Sequence, residues 1–123
     1  MNEKIGFYSQ AEKEKMQKAM LKKLIDIFKE LDKDKYEIAK DLIEQVSFMA
    51  CELKDLKQII LRDGSIEEYQ NGRFQKGIKK SASVEVYNSI LKNYTTCLKQ
   101  LFDLIKADGG DVDDGFDDFL NAK

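Results

Sequence analysis

The sequence predicts an all-α protein: a long antiparallel helical hairpin with coiled-coil-like seams, an N-terminal helix and a small β-hairpin insertion, assembled as an oligomer. Three observations predict this class. The 123 residues include no proline, so apolar patterns can continue as long helices. Two long segments repeat apolar residues at alternating spacings of three and four, which is typical of helical seams. Between these segments, an Asn-Gly pair marks a tight turn.

The first part of the chain, residues 1–31, is predicted to be an irregular arm followed by a helix that starts near Gln10. Apolar residues spaced by three and four give this helix one apolar face, formed by Leu21, Leu24, Phe28 and Leu31. Lys22 and Lys23 form a basic pair on the same helix. This pair is a candidate DNA contact, or else an ordinary solvated helix face.

The second helix is predicted from about Lys33 to Arg62, within a core region that spans residues 32–106. Asp32 is a reasonable N-cap, and Asp63-Gly64 ends the helix because glycine supplies the left-handed conformation of a C-cap. The heptad seam of this helix consists of Leu42, Val46, Met49, Leu53, Leu56 and Ile60. We expect the helix to lie antiparallel to the third helix.

A β-hairpin is predicted at about residues 65–79. Asn71-Gly72 is the dipeptide of a type I′ turn, in which both central residues have φ above zero. Ile66, Tyr69, Phe74 and Ile78 flank the turn at roughly alternating positions.

The third helix is predicted from about Ala82 to Lys106, with Ser81 as its N-cap. Two overlapping registers give it an apolar face that is too wide for one neighbouring helix to cover. Symmetric copies in contact would bury this face, so we expect a homo-oligomer, with a monomeric three-helix bundle as the alternative. The residues expected at the contact between copies are Tyr87, Ile90, Leu91, Tyr94, Leu98, Leu101, Leu104 and Ile105.

The hairpin also carries a cluster of positive charge. Arg73, Lys76, Lys79 and Lys80 lie in one run, with no acid between Glu68 and Glu85. Contact with DNA phosphates is one interpretation of this cluster, and Tyr69 and Phe74 could then pack against a nucleotide or a groove wall. The other interpretation is a solubilised turn whose aromatic rings pack on the helix ends.

Residues 107–123 form an acidic tail with six aspartates and one lysine, which leaves the rest of the chain with a net charge of +3. The Gly-Asp composition predicts disorder in the free protein. Phe116, Phe119 and Leu120 have the spacing of a short helix that docks an apolar face into a partner. A frayed end without specific contacts is the alternative.

Several function classes lack their usual residues. The chain has no histidine and no glycine-rich phosphate loop, so we expect a protein without catalytic residues or cofactors. The tail acids lack the glutamate of an EF-hand, and no metal site is expected. Cys51 and Cys97 have no CxxC spacing and are expected to be reduced, with a disulfide as the minor alternative. No signal peptide or apolar stretch of about 20 residues is visible, so a cytoplasmic protein with no membrane contact is expected.

Three stretches carry a resemblance to a known family: EYQNG, the Lys79-Lys80-Ser81 entry into the third helix, and VEVYNSILKNY. Together they resemble the short, helical small subunits of tailed-phage terminases, and a looser similarity extends from about Asp32 to Lys106. The closing DDGFDDFLNAK is also similar to tails of that family. One departure is Ala82, where the family often has proline.

This resemblance implies a subunit that forms a ring in the bacterial host cell, binds double-stranded viral DNA and presents it to the large terminase subunit, which carries the ATPase and nuclease. The tail residues Phe116, Phe119 and Leu120 would dock on that large subunit. No helix-turn-helix is visible in residues 1–35, although larger small subunits commonly use one to contact DNA. The alternative function is a structural coiled-coil adaptor with no nucleic-acid role.

Overall fold

The computed structural model describes residues 6–107. It is mostly helical, with three helices and one two-stranded antiparallel sheet, as the sequence predicted. The elements, in chain order, are α1 (Gln10–Phe28), α2 (Lys33–Asp63), β1 (Ile66–Asn71), β2 (Gln75–Lys80) and α3 (Ala82–Ala107). The predicted oligomer stays a prediction, and the predicted tail lies outside the described residues.

Local capping explains where α1 begins. The Ser9 hydroxyl accepts a hydrogen bond from the Glu12 backbone N–H at 3.1 Å, and the Glu12 carboxylate accepts one from the Ser9 N–H at 2.8 Å. This reciprocal pair is a capping box, which satisfies two N–H groups at the helix start. The helix ends at Phe28, three residues before the predicted Leu31. The chain tightens there into a turn, in which the Leu31 N–H donates to the Phe28 carbonyl at 3.1 Å.

Both ends of α2 fall close to their predicted positions. Asp32 occupies the N-cap as expected, but its carboxylate accepts no capping hydrogen bond, and only its backbone carbonyl accepts from the Tyr36 N–H. Gly64 ends the helix with φ of 95°, a region that residues with a Cβ rarely adopt, but its ψ of 164° is extended, so the predicted left-handed cap is wrong. Its N–H donates to the Ile60 carbonyl at 2.7 Å.

The three helices meet in one apolar core at the end of the molecule away from the hairpin. Helix α1 runs antiparallel to α2, because its end packs beside the start of α2 while Lys13, near its start, contacts Glu52 and Asp55 late in α2. Helix α3 returns antiparallel to α2, as predicted, and brings its last turns into the same cluster. The buried members of this core are Leu24, Phe28, Ala39, Ile43, Val46, Leu101 and Ile105.

The predicted seam of α2 is largely correct. Val46, Met49, Leu53 and Leu56 are buried, whereas the two terminal seam positions, Leu42 and Ile60, are half-buried. The buried stripe is wider than one seam because α2 lies between two helices and packs against both. Its additional buried apolar residues are Ala39, Ile43, Ala50, Cys51 and Ile59.

The β-hairpin is present, but the predicted turn type is wrong. Strand pairing closes at Asn71 opposite Gln75, which leaves a three-residue turn at residues 72–74. Gly72 has φ of 78°, while no non-glycine residue in the described part of the chain has positive φ. A type I′ turn centred on Asn71-Gly72 would need positive φ at both residues. One added residue in the loop removes that requirement from Asn71.

Candidate nucleic-acid interface

The hairpin is anchored where α2 and α3 meet. Ser65 and Ser81 lie at the two ends of its strands, and the Ser81 N–H donates to the Ser65 carbonyl at 2.9 Å. The Ser81 hydroxyl accepts a hydrogen bond from the Val84 N–H at 3.2 Å, which confirms Ser81 as the N-cap of α3. Ser81 is buried, whereas nearly every residue of the two strands is exposed. The hairpin therefore projects from a fixed base into solvent.

The strand register divides the hairpin side chains between two faces, because neighbouring residues of a strand point to opposite sides. Lys76 and Lys80 share one face with the exposed Ile66 and Ile78, and also with Glu68, which lies directly across from Ile78. Lys79 lies on the other face, with Tyr69. The predicted basic cluster is thus spread over both faces and the turn.

The four hairpin cations differ in their surroundings. The Lys79 ammonium lies 3.6 Å from the Glu67 carboxylate, directly across the strands. The Arg73 guanidinium lies over the Phe74 ring, 5.7 Å from its centroid. Within residues 6–107, Lys76 and Lys80 have no ion-pair partner. Three of the four charges are therefore available to an anion without the loss of an existing ion pair.

The two hairpin aromatics, which the sequence grouped together, have different environments. The Tyr69 ring covers Gly77, directly across the strands, so closely that a Cβ at Gly77 would lie 2.7 Å from the tyrosine hydroxyl oxygen. This packing makes Tyr69 part of the hairpin structure. Phe74 is 89% exposed at the turn. It is the large apolar side chain that is most exposed among the described residues.

The second predicted DNA-contacting pair lies apart from the hairpin. Lys22 and Lys23 are exposed on α1, next to Leu24, which packs in the core with Val46 of α2. From Val46 to the end of α2 at Asp63 the helix rises about 25 Å, at 1.5 Å per residue. The six predicted DNA-binding cations therefore form two separate patches.

Only part of the predicted contact face of α3 is buried by the other helices of the same chain. Leu101 and Ile105 are buried in the chain's own core, so they are not available to a second copy. The other six predicted positions keep exposed surface, and Leu91 is 39% exposed. A shallow groove of about 390 Å³ runs along the last turns of α3, where Leu98 and Phe102 lie between charged residues that include Lys99 and Lys106.

A buried carboxylate that the sequence analysis missed holds the N-terminal segment against α2. Asp55 is nearly fully buried, and its Oδ1 accepts hydrogen bonds from the backbone N–H groups of Phe7 at 2.9 Å and Tyr8 at 2.7 Å. The Lys13 ammonium approaches Oδ2 at 3.5 Å. One signal was present in the sequence. Asp55 lies four residues from both Cys51 and Ile59, on a helical stripe that is otherwise apolar.

Burial and ion pairing act on the pKa of nearby groups. Burial alone would lower the pKa of Lys13, but its hydrogen bond and charge interaction with Glu52, together with Asp55, leave that pKa raised above 10.5. Burial raises the pKa of the Cys51 thiol, and likewise the pKa of the Tyr94 hydroxyl. Both cysteines are free in the structure, and their expected reduced state stays a prediction.

Comparison of the chain with protein-family models, with curated proteins and with solved structures gave no match. In residues 6–107, no helix is long and apolar enough to cross a membrane. The predicted docking residues Phe116, Phe119 and Leu120, and the tail aspartates considered as metal ligands, lie outside the described residues.

Proposed function

We propose that this chain is a non-catalytic DNA-recognition and regulatory subunit of a phage DNA-packaging terminase. It binds double-stranded viral DNA and presents it to the large subunit, which carries the ATPase and nuclease. The observation that carries the proposal is the exposed β-hairpin, whose cations project from the helical body. The terminase-like stretches at Glu68–Gly72 and in α3 supply the resemblance behind the particular role.

The shape of the hairpin suits a duplex. The major groove of B-DNA admits a two-stranded β-ribbon, and both faces of this ribbon are open to solvent. Lysine and arginine contacts with phosphate dominate nonspecific DNA affinity. Four cations outnumber the two acids, Glu67 and Glu68, on the strands and turn. The hairpin can therefore meet the DNA backbone with a net positive surface.

Assembly into a ring would complete this arrangement. The half-exposed apolar positions of α3 would pack against neighbouring copies, and each copy would add one hairpin to a repeated DNA-binding surface. Weak contacts made by each hairpin would then act together on one DNA molecule. The acidic tail, with Phe116, Phe119 and Leu120, would dock on the large subunit. Truncation after Ala107 should abolish capture of that subunit while leaving assembly intact.

Salt-dependent binding tests the DNA proposal. Replacing Arg73, Lys76 and Lys80 with glutamine removes the three hairpin cations that have no ion pair within the described residues. Each lost phosphate contact lowers the slope of log K against log salt by about 0.9, so the triple variant should lose about 2.7 in slope magnitude. Lys79→Gln should lose less than 0.9, because Glu67 already competes for that charge.

A charge-matched control removes three exposed lysines of the helical body that lie away from the hairpin and have no ion pair among the described residues. The control substitutions to glutamine are at Lys18, Lys33 and Lys106. The control should leave the slope nearly unchanged, and Lys22→Gln with Lys23→Gln measures the second basic patch separately. Equal loss of slope in the control and hairpin variants would show that the hairpin is not the contact site. Salt-independent binding by the wild-type protein would exclude phosphate contact altogether.

The exposed apolar residues on the helices favour one alternative, a structural coiled-coil adaptor without a nucleic-acid role. Phe48 is half-exposed on α2, and Leu91 is exposed on α3. Such residues would be buried equally well by a protein partner. An adaptor would oligomerise or capture protein normally and would show no salt-dependent DNA binding, so the same titration separates the two functions.

A further inference from the structure

The exposure of Phe74 is not explained by the fold. Full burial of a phenylalanine side chain contributes about 1.5–3 kcal/mol, and at 89% exposure Phe74 realises little of this. Its position is nevertheless well defined. The paired strands end at Asn71 and Gln75, and Phe74 is the last residue of the three-residue turn between them. An aromatic ring is thus held at the tip of a projecting hairpin, where it contacts the Arg73 guanidinium.

The comparison with Tyr69 shows that this exposure is specific to the tip. Tyr69 is 39% exposed, and its ring lies on Gly77, where it fills the space left by the missing side chain. The hairpin therefore uses one aromatic residue for its own packing and presents the other to solvent.

We propose that Phe74 stacks on the face of a nucleobase while Arg73, Lys76 and Lys80 hold neighbouring phosphates. This inference rests on the proposed DNA-binding function and names the contact made by the hairpin tip. Every base has a flat face on which an aromatic side chain can stack, whatever the sequence. In proteins that bind the minor groove, apolar side chains such as phenylalanine also insert between base steps and unstack them, so insertion into a paired duplex would place the tip in that groove.

The surrounding charges favour a nucleic acid over an apolar protein surface. Lys76 and Lys80 lie on one face of β2, about 13 Å apart at 3.3 Å per residue, in a line that leads away from the tip. Docking the tip into an apolar protein pocket would remove Arg73 and the nearby Lys76 from water without an opposite charge, whereas Lys80 lies at the base of the hairpin. Contact with DNA supplies a phosphate to each cation and a base to the ring.

Fluorescence of a single tryptophan tests the stacking directly. The chain has no tryptophan, so Phe74→Trp introduces one emission signal at the tip of the hairpin. Stacking on a base should quench this emission as DNA is added, and the quenching should saturate with the binding curve. Ile38→Trp is the matched control, because Ile38 is also an exposed apolar residue but lies near the start of α2, away from the hairpin. The emission of the control should not change.

Affinity measurements complete the test. Phe74→Ala should weaken DNA binding by about 5- to 150-fold at fixed salt, the range expected for the loss of one stacked base. Its salt slope should equal that of the wild-type protein, because no charge is removed. Circular dichroism should show an unchanged fold, and Ile38→Ala should bind like the wild-type protein.

Three DNA ligands of one sequence distinguish the source of the base: a single strand, a fully paired duplex and a duplex with one mismatch. Stronger quenching with the single strand and the mismatched duplex indicates a base that is already exposed. Equal quenching with the paired duplex indicates insertion at a deformable base step.

The negative results that would overturn the stacking of Phe74 differ from those that would overturn the DNA-binding function. Salt-dependent binding without quenching, and with unchanged affinity in Phe74→Ala, overturns the stacking and leaves the DNA-binding function standing. Absence of DNA binding in the wild-type protein refutes both. A blue shift of the Phe74→Trp emission with protein concentration, in the absence of DNA, would show that the ring packs in a second copy of this chain and would overturn the inference.

Discussion

Replacement of Asp55 with alanine is expected to lower the free energy of unfolding by about 2–4 kcal/mol. The Asp55 carboxylate accepts two backbone N–H groups, from Phe7 and Tyr8, and lies beside the Lys13 ammonium. A hydrogen bond to a charged group contributes about 1.5–3 kcal/mol, so two such bonds set the scale of the loss. Their sum would be about 3–6 kcal/mol, but water can reach the released N–H groups if the segment swings away, which reduces the expected loss to about 2–4 kcal/mol. Lys13 keeps Glu52 as a partner at 3.1 Å.

Two further variants separate the contribution of the hydrogen bonds that Asp55 accepts from that of the charges beside Lys13. Asp55→Asn keeps one oxygen to accept the backbone N–H groups but loses the charge beside Lys13, so a loss of about 1–2 kcal/mol is expected. Glu52→Ala removes only a partly exposed partner of Lys13 and should cost less than about 1 kcal/mol.

Urea unfolding followed by circular dichroism measures these free energies. For a chain of this size, Asp55→Ala should lower the melting temperature by about 8–16 °C, at roughly 4 °C per kcal/mol. Amide hydrogen exchange at Phe7 and Tyr8 should accelerate in this variant even under conditions where the helices remain folded. A loss below about 0.5 kcal/mol for Asp55→Ala would refute the reasoning. So would a loss for Glu52→Ala as large as that for Asp55→Ala.

Four other measurements follow from the structure. The pKa of Lys13 is raised on folding, so its stabilising contribution is complete below pH 10.5 and is lost as the pH rises through its pKa in the folded state. Above pH 10.5, the free energy of unfolding of the wild-type protein should therefore fall more steeply than that of Lys13→Met. Ser47→Ala should raise the free energy of unfolding by about 1 kcal/mol, since the buried hydroxyl has no hydrogen-bond partner among residues 6–107. A loss of stability on urea unfolding would contradict this. Iodoacetamide at pH 8 should modify Cys51 at least tenfold faster in urea than in the native protein, because burial shields the thiol and raises its pKa. Mass spectrometry of the peptides measures the two rates, and equal rates would rule this out. Leu91→Lys should lower the mass of any oligomer seen by native mass spectrometry, whereas Leu61→Lys, at an exposed position on α2, should leave that mass unchanged. Equal masses for the wild-type protein and both variants would place the contact between copies elsewhere.

Much of the fold could be read from the sequence because its determinants are local. The start of α3 after Ser81 depends on a hydroxyl that caps an N–H three residues away. The end of α2 depends on one glycine that can adopt positive φ. The apolar spacing of α2 identified most of its buried seam, because residues three and four apart lie on one side of a helix. The existence of the hairpin followed from a turn signal between two short strands.

The candidate DNA site was predictable only as a set of residue types. The sequence placed Arg73, Lys76, Lys79 and Lys80 in one run, but strand register decides which of these cations share a face. An ion pair across the strands, from Lys79 to Glu67, cannot be read from composition.

Only the tertiary structure shows which of two residues of similar type packs within the chain and which stays exposed. Leu91 and Leu101 both belong to the contact face predicted for α3, yet only packing against α1 and α2 shows that Leu101 is fully buried and that Leu91 is not. Tyr69 and Phe74 look equivalent in the sequence, and their different roles depend on the glycine opposite one of them. Asp55 becomes an anchor only because the chain brings Phe7, 48 residues away in sequence, to its carboxylate. Such contacts join distant segments, and no local pattern specifies which segments will meet.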